Sequence, residues 1–326
     1  MGKRDIALLR YFEDEDRYAD LINGFVFSGD QVISGSDILD KSAAATGVIH
    51  KLKDLFAFQK YRDAVRKVVL GTNFVVIGLE HQDAIHYAMP VRILIEDAAG
   101  YDEQMRRIQR KNRKLKGLQK GEFLGRFSKD DQLHAVFTIV LYYGEMPWDG
   151  PKDLSSLIDF GSVPEQLQNL FNNYRLHILE VRNFKNSDLF QTDLREVFGF
   201  ISRSGDKLAE REFTLQNEET FEQLDEDAYD VISALTGSRE LEEVKEKYRE
   251  KGGKINMCEA IRGMIEDGKL EGKREGKLEG KLEKSQIIAR NMFLRKMTPE
   301  DTAAICEEDL SLIQEWFDQW TSERKL

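Results

Sequence analysis

Two carboxylates and an amide have the residue types and the spacing of a catalytic centre. Asp63 lies at the start of a Val-rich run, and Glu80 and Gln82 lie at the end of the next run. The Gly-Thr-Asn turn between the runs predicts a β-hairpin across residues 61–82. Because alternate side chains of a strand share a face, Glu80 and Gln82 project together, His81 points to the opposite face, and antiparallel pairing brings Asp63 towards the two.

This oxygen-rich set suits a hard divalent cation. Mg²⁺ takes one or two carboxylates and completes its shell with water and substrate phosphate, so Asp63 and Glu80 are the predicted metal ligands, with Mn²⁺ as a substitute. A bound metal activates water and neutralises charge on a phosphodiester oxygen. Gln82 does not titrate, but its amide can orient water or a phosphate oxygen. The alternative is that both carboxylates are strand-end charges facing water.

Further segments extend the pattern along the chain. They are Arg62-Asp63, Glu80-His81-Gln82, Met89-Pro90-Val91-Arg92, Leu141-Tyr142-Tyr143-Gly144, Pro147-Trp148 and the Gly-Lys-Leu-Glu repeats near the end. Together they resemble the PD-(D/E)XK nucleases over most of the chain. More narrowly, they are similar to the Rpn family of recombination-promoting nucleases, also called transposase-like PD-(D/E)XK proteins.

The resemblance implies a Mg²⁺-dependent endodeoxyribonuclease, with Asp63, Glu80 and Gln82 as catalytic residues and a role in recombination or transposition. Arg62 stands where the wider pattern has Pro, and Gln82 stands where it has Lys. The narrower family tolerates the glutamine. The missing lysine keeps open a second interpretation, a DNA-binding or assembly protein that retains the fold but not the reaction.

The elements that would position these residues predict an α/β protein, and the resemblance implies a restriction-endonuclease-like core, a mixed central sheet flanked by helices. We expect this nuclease-like domain over residues 1–205, an acidic connector over 206–237 and a helical C-terminal region over 238–326. Before the hairpin, the sequence predicts one or two helices over 5–27 and an edge strand at Val32-Ile33. After it, the sequence predicts a helix from Met89, strands at 135–143 and 176–181, and a helix over 193–201. The predicted apolar face of the helix from Met89 consists of Val91, Leu94, Ile95, Ala98 and Tyr101.

Local charge matters more for a phosphate partner than the net charge of -11. The run from Arg106 to Lys120 holds eight bases and no acid. We expect DNA contacts from Arg62, Arg92, Arg106, Arg107, Arg110 and Lys111. Arg92 is the candidate phosphate clamp, with a structural salt bridge as its alternative, and the alternative for the basic run is a solvated loop.

Composition narrows the class of protein. Charged residues make up 33% of the chain, its mean hydropathy is -0.50, and no apolar run reaches the length of a membrane span. We therefore expect a cytoplasmic protein that does not contact a membrane. The two cysteines form neither a disulfide framework nor a zinc signature, and no P-loop motif is present.

The four Gly-Lys-x-Glu units from Gly268 to Glu283 repeat every four residues. In a helix they form slanted stripes of glycine, lysine and glutamate, and like charges four residues apart disfavour a helix that stands alone. A partner helix that approaches along the glycine stripe, with its glutamate stripe beside the lysine stripe, would relieve this. The repeat therefore predicts a homo-oligomer or a helical hairpin, and the alternative is a disordered spacer. Beyond the repeats, two short helices from Thr298 favour protein contact over DNA recognition, because the second carries several acidic residues.

Overall fold

The computed structural model describes residues 2–38, 64–70, 73–114 and 120–323. The chain divides into two compact units, Met1–Ala260 and Ile261–Leu326. This division differs from the expected one, because the predicted acidic connector 206–237 folds into helices of the first unit. Several of its apolar side chains, among them Phe221 and Tyr229, are fully buried there.

A four-stranded mixed sheet forms the centre of the first unit. Its strands are β1 (Ala64–Leu70), β2 (Asn73–Gln82), β3 (Ala135–Tyr142) and β4 (His177–Glu180), in the order β1-β2-β3-β4. The strands β1 and β2 are antiparallel, which confirms the hairpin, and β3 runs parallel to both β2 and β4. The α/β class is therefore confirmed. The apolar run of β3 was predicted to be central, and it lies between two strands with residues 138–142 buried.

Ten helices accompany the sheet in the described part of this unit. They are α1 (Lys3–Tyr11), α2 (Glu15–Val26), α3 (Met89–Asn112), α4 (Lys120–Gly125), α5 (Glu165–Gln168), α6 (Leu194–Ile201), α7 (Lys207–Gln216), α8 (Glu218–Glu222), α9 (Glu226–Thr236) and α10 (Arg239–Val244). Short 3-10 helices lie at Gly35–Asp37, Ser155–Leu157, Val181–Asn183, Ser187–Leu189 and Lys245–Tyr248. The strands β5 (Leu224–Asp225) and β6 (Lys254–Ile255) pair separately.

The central sheet has a core on each face. On one face, α3 packs against β3 through a cluster of Met89, Ile93, Val140, Tyr142 and Trp148. The exclusion of water from these side chains is the main driving force for docking the helix on the sheet. Trp148 is buried in this cluster, so it is a core anchor rather than a surface for stacking a base.

The opposite face carries α1. The ring of Phe12, which directly follows α1, lies 6.4 Å from the ring of His81, and the hydroxyl of Tyr143 donates a 3.2 Å hydrogen bond to Asp5. Tyr143 is buried here and is also part of the core. Helix α1 in turn packs against α9. The first helix of the chain therefore lies between the sheet and a segment more than two hundred residues later.

Buried polar contacts fix α2 in place. Asp20 accepts hydrogen bonds from the backbone N–H groups of Gln191 and Thr192 and from the Thr192 hydroxyl, at 2.7 to 3.0 Å. Arg17 donates two hydrogen bonds to Asp193, at 2.8 and 2.7 Å, and one to Asp225 at 2.9 Å. A bidentate carboxylate contact of this kind orients both groups.

Two predictions of local structure are wrong. Val32 and Ile33 are not a strand, because the side chain of Asn23 accepts their N–H groups and donates to the Ile33 carbonyl, which takes up the backbone groups that a strand partner would use. The apolar face predicted for α3 is also misplaced. Val91 and Tyr101 are exposed, whereas the buried face contains Glu96 and Asp97.

The second unit contains most of α11 (Met257–Leu294), with α12 (Pro299–Cys306) and α13 (Leu310–Glu323). Thr298 caps α12 through its hydroxyl, which accepts from the Asp301 N–H as predicted for this helix start. The core of the unit consists of Ala289, Ala303, Cys306, Ile313, Trp316, Phe317 and Trp320. The apolar face of α13 is therefore used within this unit. The repeats lie in α11 as one continuous helix.

Candidate functional site

Glu80 and Gln82 share one face of the sheet at the end of β2, as predicted. The Gln82 amide donates a 3.2 Å hydrogen bond to Glu80 Oε1 and a 2.7 Å bond to the His81 carbonyl. Glu80 is completely buried and pairs with Val140 of β3. The carboxylate therefore lies on β2, between β1 and β3, at the residue that follows the Leu79–Ala64 pair.

Helix α3 brings a cation to this carboxylate. Arg92 forms an ion pair with Glu80 through Nη2, and its Nε donates to Glu96 Oε1 at 3.3 Å. Arg92 and Glu96 are one helical turn apart, so both lie on the side of α3 that faces β2. The guanidinium spans two carboxylates that are each at most 3% exposed. This contact matches the salt-bridge alternative for Arg92, and the guanidinium still lies beside the predicted metal ligand.

The sequence pattern did not identify Glu96 and Asp97 as part of this region. Asp97 accepts a 2.6 Å hydrogen bond from the Thr138 hydroxyl and another from the Tyr174 hydroxyl. Buried acids with such partners are compatible with an otherwise apolar helix face. The available signal was the position of Glu96, four residues after Arg92, which is the spacing of an ion pair on a helix.

His81 lies on the opposite face from Glu80, as predicted. Burial lowers the pKa of its imidazole to about 4, although the nearby Asp5 carboxylate acts in the other direction. The imidazole is therefore neutral at physiological pH. It belongs to the packing between β2 and the α1 segment and does not face the carboxylate site.

Asp63 and Arg62 lie outside the described residues. The described ladder between β1 and β2 begins with Ala64, which pairs with Leu79. Asp63 directly precedes Ala64 in the sequence, and Glu80 directly follows Leu79. In the sequence, Asp63 and Glu80 are therefore the next positions after the pair of Ala64 and Leu79. The meeting of their two carboxylates stays a prediction.

The basic residues predicted for DNA lie on the last two turns of α3. Arg106 pairs with Asp102 at 2.9 Å and Arg107 with Glu103 at 2.5 Å, while Arg110 and Lys111 are exposed. The end of the helix is held by the following loop, because Asn112 donates to the Arg126 carbonyl and to Asp131. The described part of this basic run is therefore fixed to the first unit, and acids of the preceding turn neutralise two of the four α3 cations predicted to contact DNA.

The acidic residues of the N-terminal segment have structural roles. Asp14 caps α2 by accepting from the Arg17 N–H at 3.0 Å, and Asp20 binds the backbone before α6. An added Cβ at Gly35 would lie 2.2 Å from the Asp16 carboxylate, which shows how closely Asp16 packs. These contacts favour structural roles for all three acids.

The donor set at the end of β2 fits a magnesium ion in type. Across the described ranges, no group of three or more His, Cys, Asp and Glu side chains is placed to hold a metal ion. Glu80 supplies carboxylate oxygens and Gln82 an amide oxygen, and a further carboxylate from Asp63 would give the mostly oxygen set that Mg²⁺ prefers.

A surface cavity of about 450 Å³ opens beyond the end of β2, where Asp83 follows Gln82. Its lining includes Asp83, Tyr87, Tyr142, Arg4 and Arg182. The Arg182 guanidinium donates to the carbonyls of Tyr143 and Leu235, at 3.0 and 2.6 Å, so it ties the end of β3 to α9. Ligands of sheets with parallel strands commonly bind outside the carboxyl ends of those strands, which is where this cavity lies.

We compared the chain with models of known protein families, with curated proteins and with solved structures, and none of them matches. In the described residues, no helix combines the length and the apolar character needed to cross a membrane. The geometry at the end of β2 is therefore the basis for a functional assignment.

Proposed function

We propose that this protein is a Mg²⁺-dependent DNA endonuclease with a restriction-endonuclease-like core. The observation that supports the proposal most strongly is the meeting of the Glu80 carboxylate, the Gln82 amide and the Arg92 guanidinium on one face of β2. A carboxylate for a metal, a neutral group for water and a cation for phosphate are the functions that phosphodiester hydrolysis requires. An association with recombination or transposition comes from the family resemblance and is part of this proposal.

The residues have distinct roles in this mechanism. Asp63 and Glu80 would hold Mg²⁺, or Mn²⁺ as a substitute, which supplies an activated water and stabilises negative charge on the phosphate. Gln82 orients that water or a non-bridging phosphate oxygen through its amide. Arg92 clamps the phosphate, because a guanidinium matches two phosphate oxygens with two N–H groups. Glu96 positions the Arg92 side chain from the following turn of α3.

The DNA backbone would extend from this site along basic side chains. We assign sequence-independent phosphate contacts to Arg62, Arg106, Arg107, Arg110 and Lys111. Such contacts release counterions from DNA, so binding should weaken steeply as salt concentration rises. The acids that pair with Arg106 and Arg107 lower the contribution of these two residues. Arg110 and Lys111, which are exposed at the end of α3, should contribute most.

A second candidate function is DNA binding or assembly without cleavage. The observation that favours it is the ion pair between Arg92 and Glu80, because a carboxylate that is already neutralised by a guanidinium binds a metal ion less readily. Gln82 in place of a lysine also favours a protein without cleavage activity. A metal titration distinguishes the two functions, since an assembly protein need show no Mn²⁺ affinity that depends on Asp63 or Glu80.

The test uses Asp63→Asn, Glu80→Gln and a matched control, Glu103→Gln. Glu103 lies on the surface of α3 and pairs with Arg107. The wild-type protein should nick supercoiled plasmid DNA with Mg²⁺, the two site variants should be inactive, and the control should keep its activity. Calorimetry with Mn²⁺ should show binding to the wild type and to the control only. Equal nicking by the wild type and both site variants would show that the assignment is wrong.

A further inference from the structure

The repeat segment of α11 is a helix without a packed face. Every residue from Glu266 to Lys284 is exposed, and a Cβ added at any of the four repeat glycines would meet nothing within 4 Å. Helices in proteins gain most of their stability from packing an apolar face against other elements. Glycine is also a poor helix former, and this segment contains four of them.

The charges within the segment also oppose a helix that stands alone. Because the repeat has a period of four, each lysine is followed four residues later by another lysine, and each glutamate by another glutamate. Side chains at this spacing are neighbours on the helix surface, and like charges there repel each other. The sequence therefore favours this helix only when another surface supplies the opposite charges.

The four positions of the repeat form four rows along the helix. Each residue advances by about 100°, so the third position lies between a lysine row on one side and a glutamate row on the other, each about 100° away. This third-position row consists of Leu270, Arg274, Leu278 and Leu282, and its three leucines are 45 to 63% exposed. The glycine row lies on the far side of the helix.

We propose that a second copy of this chain binds this helix in parallel orientation, with the two leucine rows facing each other. A two-fold axis along paired parallel helices brings the lysine row of one copy beside the glutamate row of the other, on both sides of the contact. In an antiparallel pair the two-fold axis is perpendicular to the helices, so lysine would lie beside lysine and glutamate beside glutamate. Flanking charges are known to set helix orientation in this way.

The same geometry gives Arg274 a role in the pair. A period of four exceeds the 3.6 residues of a helical turn, so the leucine row drifts by about 40° per repeat and the two helices must cross with a right-handed sense. Arg274 is the one polar residue in the row, and a single polar residue in an apolar seam fixes register at a cost in stability. The continuity of α11 through all four repeats excludes a hairpin folded within them.

The association is tested by sedimentation of the full chain over a range of protein and salt concentrations. We expect a monomer–dimer equilibrium that weakens as salt rises, because salt screens the charge pairs. Leu278→Ser with Leu282→Ser should weaken the dimer by about tenfold or more, since both leucines leave the seam. Arg274→Leu should strengthen it. Circular dichroism of each variant checks that the rest of the chain remains folded.

The matched control is Gly272→Ala with Gly276→Ala, on the far side of the helix. These changes should raise helicity and leave the dimer as strong as before or stronger. A wild type that is monomeric at every concentration would overturn the proposal. So would loss of the dimer in the glycine variants, because it would show that the glycine row forms the contact.

Orientation is tested with cysteine substitutions. Leu282→Cys should form a disulfide with its own copy under mild oxidation, since the same position of both chains meets in a parallel pair in register. The native Cys258 and Cys306 are buried, which limits their interference. Cross-linking only in a mixture of Leu270→Cys and Leu282→Cys chains would instead show antiparallel pairing and contradict the proposal.

Discussion

The guanidinium of Arg92 pairs with the completely buried carboxylate of Glu80, from the helix that follows the strand of Glu80. A buried carboxylate needs a cation or several donors, since desolvation penalises its charged form. In this structure the Arg92 guanidinium and the Gln82 amide both contact Oε1 of Glu80. A metal ion at Glu80 would therefore compete with Arg92 for the same carboxylate, and this competition can be measured without any cleavage assay.

Arg92→Met should lower the free energy of unfolding by about 3 kcal/mol in the presence of a chelator, because the change removes the charge partner of a buried carboxylate. Mn²⁺ should restore part of this loss and stabilise the variant more than the wild type, since a ligand of the folded state stabilises it by mass action. Urea unfolding with and without Mn²⁺ measures both effects.

The control for this variant is Arg107→Met, which removes the ion pair of Arg107 with Glu103 on the surface of the same helix. A surface pair contributes at most about 1 kcal/mol, so the control should change little and show no special response to Mn²⁺. Equal losses in the two variants would contradict the central role of the contact between Arg92 and Glu80.

Arg17→Met should destabilise the first unit by about 3 to 5 kcal/mol. The change leaves Asp193 without its bidentate partner, and the Arg17 side chain is only 9% exposed. Arg17→Lys should recover part of the loss, because an ammonium group keeps the charge but does not form the two parallel hydrogen bonds. The comparison is Arg10→Met, which affects a more exposed contact with Asp227. Chemical unfolding that showed the same stability for Arg17→Met and Arg10→Met would refute this prediction.

His81 should make the first unit less stable in mild acid. Its pKa is about 4 in the folded chain against about 6.5 when unfolded, so the unfolded state binds the proton more readily. The stability is fully present above pH 6.5 and is lost as pH falls towards 4, by up to about 3 kcal/mol. In urea unfolding followed against pH, His81→Gln should flatten this dependence, whereas His177→Gln, at an exposed strand position, should not. Identical profiles for wild type and His81→Gln would exclude His81 as the cause.

Gly24→Ala should destabilise the packing of α2. A Cβ at this position would lie 2.2 Å from Cε1 of Phe190, so the ring or the helix must move, at a cost of about 1 to 3 kcal/mol. The matched change Gly272→Ala meets open space and should instead favour its helix by up to about 1 kcal/mol. Calorimetry of both variants measures the difference. A gain in stability from Gly24→Ala would show that the ring moves aside without cost.

The sequence predicts the strands of this protein better than the faces of its helices. The hairpin and the central strand β3 follow from runs of β-branched residues, which are enriched in strands. The buried face of α3 does not follow from apolar periodicity, because Glu96 and Asp97 are on it. Arg92, the partner of Glu96, lies one turn earlier on the same helix, but Thr138 and Tyr174, the partners of Asp97, come from two other segments. Only tertiary structure reveals such compensation.

The alternation of side chains along a strand predicted only the part of the candidate site that lies on β2. Glu80 and Gln82 share a face because they are two residues apart in one strand. The contact of Arg92 with Glu80 depends on how α3 docks, and periodicity does not specify docking. The chain at 206–237 was misjudged for a similar reason. Its net charge of -8 suggests a linker, yet its helices bury Phe221 and Tyr229 in the first unit.

The packing of α1 against α9 has a consequence for how the protein is made. The ribosome releases α1 first, and at roughly 10 residues per second α9 follows about 20 s later. Until then the core around Tyr11 and Phe12 is incomplete, so the nascent chain exposes apolar surface that chaperones can bind. A message truncated before α9 would yield a chain that lacks the surface on which its own N-terminus folds.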